Sequence, residues 1–433
     1  FKQKTAYEIM PSLVGSEMCI RDSSLERAES DGFRYGTDFK TLIASLLSGI
    51  EFSQQESGFL LLGYGEKEFG AYDFYTPNKD YPSKEWTKTF IFNAGLNLQA
   101  QSYSLRSGFL WRRHFDKFML DRTQIKSGYL NHHRTDAYRG SLSLALPESF
   151  FDLLCLNARF EEERINSTNL GKHSRGNYNI SAEIEEELTN RLIFDNMLTF
   201  DYFDDFKNKI SGSIRLNYLL NRQRFGFGVF YKIRKPTFTE LYYEDPTTEG
   251  NLSLLPEELL TYELSYDYKQ EELDAGVAIF FRKEDNLINW VKREPTEKWR
   301  ANNILQAECF GIETNLKLRF NTALSAGFNY SYIDKDLKDS GWLYKYGPNY
   351  ASWHLNSFFE FDLPLFSSLI ELEYKKRPNR DGWILVNLAI RRKMSAKAEL
   401  FCKASNIFNV EYQDIEGIPS PGRWVEAGVR LEW

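Results

Sequence analysis

Leu260-Thr261-Tyr262-Glu263-Leu264-Ser265-Tyr266-Asp267-Tyr268-Lys269 alternates without a break: Leu and Tyr hold the even positions, and Thr, Glu, Ser, Asp and Lys the odd ones. Successive side chains of an extended chain point to opposite faces, so this stretch makes a strand with one apolar, aromatic face and one polar face. The pattern repeats outward in both directions. Leu273, Ala275, Val277, Ile279 and Phe281 share one face of the next segment, and Ile312, Thr314, Leu316, Leu318 and Phe320 alternate with Glu313, Asn315, Lys317 and Arg319. The stretches 214–220, 324–332 and 384–390 read the same way, and the pattern holds from about residue 35 onward.

Alternation alone also describes a soluble antiparallel sandwich. The rhythm of the interruptions separates the two. Short breaks fall at 146–150, 187–191, 219–224, 269–273, 319–323, 361–366 and 392–397. Mostly longer ones fall between them, at 64–86, 113–134, 163–176, 233–258, 283–303, 333–349 and 406–423, with two short exceptions at 203–207 and 375–381. Short turns at one end and long loops at the other belong to outer-membrane barrels. The expected fold is therefore all-β, a transmembrane antiparallel β-barrel of about 19 strands. Bacterial single-chain barrels have even strand numbers, so this count predicts a truncated barrel lacking its first strands.

Composition agrees. Phe, Tyr and Trp number 34, 25 and 9, together 16% of the 433 residues, beside 27% charged residues. That balance is awkward for a soluble core and suits an apolar outer band, aromatic girdles and a wet interior. The apolar run Phe59-Leu60-Leu61-Leu62 is among the longest and far short of the roughly 18 residues a membrane helix needs, so a membrane span has to be made by closed strands. The net charge of -7 argues against nucleic acid, which favours a basic stripe. Cys19, Cys155, Cys309 and Cys402 have neither metal-ligand spacing nor a compact disulfide framework.

The two ends read differently. Met10-Pro11-Ser12-Leu13-Val14-Gly15-Ser16-Glu17-Met18-Cys19-Ile20-Arg21-Asp22-Ser23 resembles a translated sequencing-library adapter, and Glu8, Glu17 and Asp22 interrupt any signal-peptide core. Residues 1–23 are therefore set aside as a non-native segment, and residues 24–433 are taken as the partial barrel. At the other end Val425, Ala427, Val429, Leu431 and Trp433 alternate with Glu426, Gly428, Arg430 and Glu432. A final strand 425–433 closing on an aromatic residue resembles the signal recognised by the barrel-assembly machinery.

Three stretches carry a family resemblance. Arg234-Lys235-Pro236-Thr237-Phe238-Thr239-Glu240-Leu241-Tyr242-Tyr243 is followed by Gly250-Asn251, Leu254-Leu255-Pro256-Glu257 and Tyr262-Glu263. Gly311-Ile312-Glu313 opens a later strand. Ser405-Asn406-Ile407-Phe408-Asn409, Tyr412 and Pro421-Gly422-Arg423-Trp424 precede the last one. Their order and spacing resemble the TonB-dependent receptor family, well over 210–433 and more loosely before it. The resemblance implies a 22-stranded barrel filled by an N-terminal plug, an outer-membrane location in a Gram-negative bacterium, and uptake of a large nutrient chelate powered by the TonB complex through the plug. The plug is absent from the 433 residues, so coupling to TonB is expected through a missing domain. Phe69-Gly70-Ala71-Tyr72-Asp73-Phe74-Tyr75, Trp111-Arg112-Arg113-His114-Phe115-Asp116 and Asn131-His132-His133 most resemble cobalamin-type receptors. Ferric siderophore and oligosaccharide receptors share the architecture.

No enzymatic chemistry is expected: there is neither a Gly-rich phosphate loop nor a G-x-S-x-G elbow, and no cofactor is implied. The spacing of His114, His132 and His133 fits no common metal site, and Asp73, Asp80 and Asp245 lack a Ca²⁺-loop spacing. Ligand contact is expected from loop aromatics, Tyr72, Phe74, Tyr75, Tyr242, Tyr243 and Trp342, whose flat rigid rings with polar tips suit a large ligand. Arg234, Pro236, Glu240, Asn251, Pro256, Glu257 and Arg423 read instead as architectural residues that fix loops. The rival functions are a passive porin and a soluble, secreted polysaccharide-binding β-protein.

Overall fold

The computed structural model describes residues 19–75, 79–124, 129–148, 151–337, 341–345, 350–415 and 417–431. Twenty long strands form the wall. The first eleven are β1 (Cys19–Ser30), β2 (Phe39–Glu51), β3 (Glu56–Gly70), β4 (Lys84–Gln99), β5 (Ser104–Met119), β6 (Leu130–Pro147), β7 (Leu153–Ser167), β8 (Gly171–Thr189), β9 (Leu192–Phe203), β10 (Lys209–Leu220) and β11 (Gln223–Arg234). A short helix, α1 (Phe238–Tyr242), and a two-residue strand, β12 (Thr248–Glu249), interrupt the sequence of wall strands. The wall continues with β13 (Glu257–Lys269), β14 (Leu273–Lys292), β15 (Trp299–Arg319) and β16 (Leu324–Leu337). After the two-residue β17 (Leu343–Tyr344) it ends with β18 (Trp353–Leu363), β19 (Phe366–Lys376), β20 (Trp383–Ser395), β21 (Ala398–Ser405) and β22 (Trp424–Leu431).

From β2 to β21 each wall strand pairs antiparallel with the wall strand before and after it. Among the described residues β1 pairs with β2 and β22 with β21. The register carries the alternation from strand to strand. Phe227, Leu264, Ile279, Ile312, Tyr332 and Trp353 stand in one row across β11, β13, β14, β15, β16 and β18. Leu264 is 61% exposed, and Ile180, facing Phe200 and then Ile210 across β8, β9 and β10, is 66% exposed. A continuous exposed belt of Leu, Ile and Phe is costly in water and suits a lipid surface. The opposite face is polar. Arg215 Nη2 lies 2.9 Å from Glu263 Oε1, and Asn217 Nδ2 donates to Asp195 Oδ2 at 2.6 Å.

The connections divide as expected: 190–191, 221–222, 364–365 and 396–397 are two-residue turns, whereas 235–256 and 406–423 are long loops at the other end. Asn221 takes the left-handed backbone (φ 56°) that its tight turn requires.

The wall has twenty long strands, in keeping with the expected count of about nineteen, and two stretches expected as long loops, 163–176 and 283–303, are mostly strand. The first strand, β1, begins inside the segment set aside as non-native. Its Glu26-Arg27-Ala28-Glu29 stretch carries too few apolar side chains to signal a strand, and backbone pairing to β2 defines it instead. The stretch 283–303 is not a long loop: β14 and β15 pair up to Val291 and Arg300, leaving only 293–298 as the turn. Ile288, Val291, Ala301 and Ile304 are buried on this extended hairpin, so its charged neighbours misled the period count. Glu432 and the terminal Trp433 lie outside the described residues.

Candidate functional site

The long-loop end has two parts, one tied down and one open. The tied part is the 235–256 loop folded onto the β14–β15 hairpin. Leu241, Leu254, Ile288 and Ala301 form a small buried core, with Phe206, Tyr242 and Trp290 packed around it. Thr237 caps α1 by accepting from the Glu240 N–H, and the Glu240 carboxylate reaches back to the Thr237 N–H at 2.7 Å, a reciprocal capping box. Arg234 joins the pieces. Its Nε and Nη2 donate to Glu257 at 2.5 and 2.6 Å, and Nη1 and Nη2 to Glu240 at 3.1 and 3.2 Å. Glu257 also accepts the Ile288 N–H at 2.8 Å. Arg175 Nη1 donates to the Pro236 carbonyl at 2.6 Å, and Asn251 Nδ2 to the Ala301 carbonyl at 3.0 Å. A Cβ on Gly250 would sit 2.6 Å from the Leu241 carbonyl oxygen, so the loop closes this tightly only with glycine there.

The open part is a cavity of about 1550 Å³ bordered by loop 31–38, residues 74–75, Lys345, the connection 377–382 and loop 406–423. Asn406 and Asn409, both in the left-handed region (φ 49° and 54°), hold the last of these loops. Asn406 accepts the Val410 N–H at 2.8 Å and donates to the Val410 carbonyl at 2.8 Å, and Asn409 Oδ1 accepts the Arg423 N–H at 2.8 Å. Trp383 at the start of β20 stands beside Tyr412 (ring centroids 5.7 Å apart) and under Lys375 and Arg377 at 5.8 and 5.9 Å. Lys375 is paired with Asp414 at 2.7 Å. Burial pushes the Tyr412 hydroxyl above its ordinary pKa and the Lys345 ammonium below its own.

The six aromatic residues expected to meet a ligand are not all brought together. Phe74 and Tyr75 line the cavity. Their rings meet edge to face at 5.0 Å, and Tyr75 Oη donates to Glu85 Oε2 at 2.5 Å. Tyr72 sits behind them, against Tyr35 and with Arg34 5.4 Å from its ring centre. Tyr242 belongs to the tied part, stacked on His173 at 3.5 Å, and Tyr243 packs edge-on against Trp290. Trp342 lies under the Arg293 guanidinium at 4.0 Å, beside the hairpin turn. His114, His132 and His133 lie on β5 and β6 rather than in a loop, and His114 Nδ1 hydrogen-bonds the Thr89 hydroxyl at 2.8 Å. Asp73 and Asp80 are spent on their own loop: Asp73 accepts the Tyr81 N–H and Asp80 the Tyr72 hydroxyl. Sequence reasoning did not single out Arg34, Arg377, Trp383 and Tyr412 as site residues. Tyr412 was legible as part of a motif. The others gave no signal, because their significance lies in what surrounds them.

Known proteins place this geometry. The family model described as "TonB dependent receptor-like, beta-barrel" matches residues 22–398. A stretch of 190 residues, 41% of this chain, is 28% identical to the vitamin B12 transporter BtuB of Photobacterium profundum and spans 30% of that protein's length. BtuB of Vibrio vulnificus is 23% identical over 186 residues, 42% of this chain and 29% of its own. The match thus covers less than a third of either curated relative. Among solved structures, the copper transporter OprC superposes with a TM-score of 0.80 at 14% identity, covering 96% of this chain and 76% of that one. The siderophore receptor PirA from Pseudomonas aeruginosa gives 0.76 at 15% identity, covering 96% and 74%. At such identities these likenesses establish the fold alone.

Proposed function

The chain belongs to the TonB-dependent receptor-like β-barrel family, and from that premise we propose that it is the barrel of an outer-membrane receptor that takes up a large nutrient chelate. The observation that carries the reading is the cavity of about 1550 Å³ at the long-loop end, which is large enough for a drug-sized or larger ligand. Two of the aromatic residues expected to meet ligand line it. In this reading the long loops face the outside of a Gram-negative cell, Phe74 and Tyr75 supply rigid contact surface, and Tyr72 supports them. Tyr242, Tyr243 and Trp342 hold the loops that frame the mouth. Uptake is driven by the TonB complex, and strand 425–433 is read by the barrel-assembly machinery.

The relatives are named for three ligand classes, vitamin B12, siderophores and copper, of which the first two are large chelates. Equilibrium binding of labelled cyanocobalamin and of iron-55 chelates to outer-membrane vesicles carrying the chain separates them. Saturable binding of either class supports a receptor. Vesicles that bind neither, yet leak small sugars at a rate set by solute size, would make the chain a passive porin.

A further inference from the structure

We propose that the outward face of β3–β8, at its long-loop end, binds a phosphorylated lipid headgroup of the outer leaflet through Arg113, Arg134 and Arg164. The inference rests on the reading above of a membrane wall with its long loops outside. It adds a partner on the lipid side of that wall.

The strand registers stack outward-facing rows across β3–β8. Leu60, Ala94, Phe109, Gly140, Phe160 and Tyr178 stand opposite one another in an apolar row. The next row toward the long loops holds Leu62, Phe92, Trp111 and Tyr138 and then Glu162. In the row beyond it, Tyr64 and Phe90 are followed by Arg113, Asp136 and Arg164. Apolar belt, aromatic girdle and charged band thus succeed one another in the order of a bilayer's interior, interface and headgroups. Asp136, 3% exposed, is the centre of the charged band. Arg113 Nε donates to it at 2.6 Å and Arg134 Nε at 3.0 Å. Arg164 stands directly across from it on β7 and donates from Nε to Glu162 at 2.7 Å. The Arg113 guanidinium lies 5.3 Å from the Trp111 ring centre, and that of Arg164 5.6 Å from Tyr138. Girdle rings therefore support two of the three arginines. The carboxylates take Nε, so the Nη groups of Arg134 and Arg164, on side chains 48% and 58% exposed, are left for an acceptor from outside.

The band carries an excess of positive charge. Lys88 is paired with Glu66 at 2.8 Å and Lys84 with Glu68 at 2.6 Å. Arg113, Arg134 and Arg164 share Asp136 and Glu162 between them. Among the described residues Lys117 and Lys172, on the same face, form no ion pair, and Lys117 meets the ring of Trp86 at 4.9 Å. The excess is local. Toward the long loops of β14–β16, Asp285, Glu308, Asp334 and Asp336 face outward with Lys283, so that sector is acidic. A charged rim that served only to end the apolar belt would have no reason to change sign from one side to the other. Cations gathered on one sector at headgroup level attract an anionic lipid. The guanidinium fork matches a pair of phosphate oxygens. On the membrane side of the band, Phe109, Leu142 and Ile180 are 45%, 48% and 66% exposed, a surface for the acyl chains of the same lipid.

The test is titration of the full chain in detergent micelles with diphosphorylated lipid A, its dephosphorylated form and inorganic phosphate, read by native mass spectrometry. EDTA is present throughout, so that no divalent ion bridges phosphate to Glu66 or Glu162. The diphosphorylated lipid should bind about tenfold or more tighter than the dephosphorylated one, and added salt should weaken it. Arg134→Gln combined with Arg164→Gln should lower that affinity by about tenfold or more. Lysine at the same two positions should recover part of the loss, and Lys283→Gln in the acidic sector should change nothing. Inorganic phosphate at equal concentration should not displace the lipid; displacement would reassign the arginines to free phosphate and overturn the lipid site. Equal binding of the two lipid forms, a loss within twofold in the double glutamine variant, or pairing of two chains through these arginines in place of lipid would overturn it as well. In those cases the membrane wall stands. Heat-dependent electrophoretic mobility identifies folded barrel for each variant. A wild-type chain that stays soluble without detergent and shows no such mobility shift would remove the wall and the lipid site together.

Discussion

Arg234 and Arg377 are two arginines at the same end of one barrel in opposite situations. Arg234 donates four hydrogen bonds to Glu240 and Glu257, and those carboxylates in turn hold α1 and the β14–β15 hairpin. Arg377 is more deeply buried, and its Nε has no acceptor. The contrast separates framework from site. A group whose hydrogen-bonding capacity is filled inside the chain is holding the chain. A buried group left unfilled is not holding the chain and calls for another explanation.

The largest expected effect is on the framework side. Glu257→Ala removes the fork that Arg234 grips and the acceptor of the buried Ile288 N–H, leaving Arg234 with Glu240 alone. The loss should be about 3 kcal/mol, read as a lower denaturant midpoint and rapid proteolysis within loop 235–256. Next is Leu254→Ala, which opens a void in the small core beneath that loop and should cost about 2–3 kcal/mol. Neither change should alter ligand binding if the two parts are independent.

The site side should respond in the opposite sense. Arg377→Met replaces an unsatisfied buried cation with an apolar side chain of similar length. Unfolding in the absence of ligand should become harder by about 1 kcal/mol. A variant that loses stability would make Arg377 part of the framework.

Acid should separate the two parts again. Burial raises the pKa of Asp245, but hydrogen bonds from the Thr247 N–H (2.7 Å) and hydroxyl (2.9 Å) outweigh it and hold the carboxyl below its ordinary range. A depressed folded-state pKa contributes stability that is present above the unfolded value of about 3.9 and lost as pH falls through the folded one. Loop 235–256 should therefore become protease-sensitive below about pH 4 while the wall keeps its strand signal, and Asp245→Asn should abolish that pH step. The smallest effect is expected from Trp342→Ala, which removes the contact under Arg293 and should cost about 0.5–1 kcal/mol.

Much of the wall was legible in sequence because a period of two is a local property. Leu260–Lys269 reads as a strand and lies wholly within β13, and the short breaks at 219–224 and 392–397 contain the turns 221–222 and 396–397. The family motifs were legible as framework because Arg, Glu, Pro and Asn at fixed spacing have few other uses, and Arg234, Glu240, Glu257 and Asn251 do form a connected network. What failed was non-local. β1 has almost no apolar face and is defined by β2. The hairpin arms 283–292 and 299–303 looked like loop because Glu284, Asp285, Lys292 and Arg300 break the pattern, yet their neighbours are buried by the 235–256 loop folding over them. Arg377 could not be read at all, since a missing acceptor is a fact about three loops at once.

Both the framework and the site presuppose a membrane-spanning wall with its long loops outside. The most direct test uses a background in which Cys19, Cys155, Cys309 and Cys402 are replaced by Ser, with a single cysteine introduced as Asn379→Cys in the long-loop end or Lys397→Cys in a short turn. Intact cells are treated with a maleimide carried on a polymer too large to pass the lumen. Asn379→Cys should be labelled at once, and Lys397→Cys only after the outer membrane is permeabilised. Labelling of Lys397→Cys in intact cells with Asn379→Cys protected, or recovery of both in the soluble fraction, would contradict a wall in that orientation.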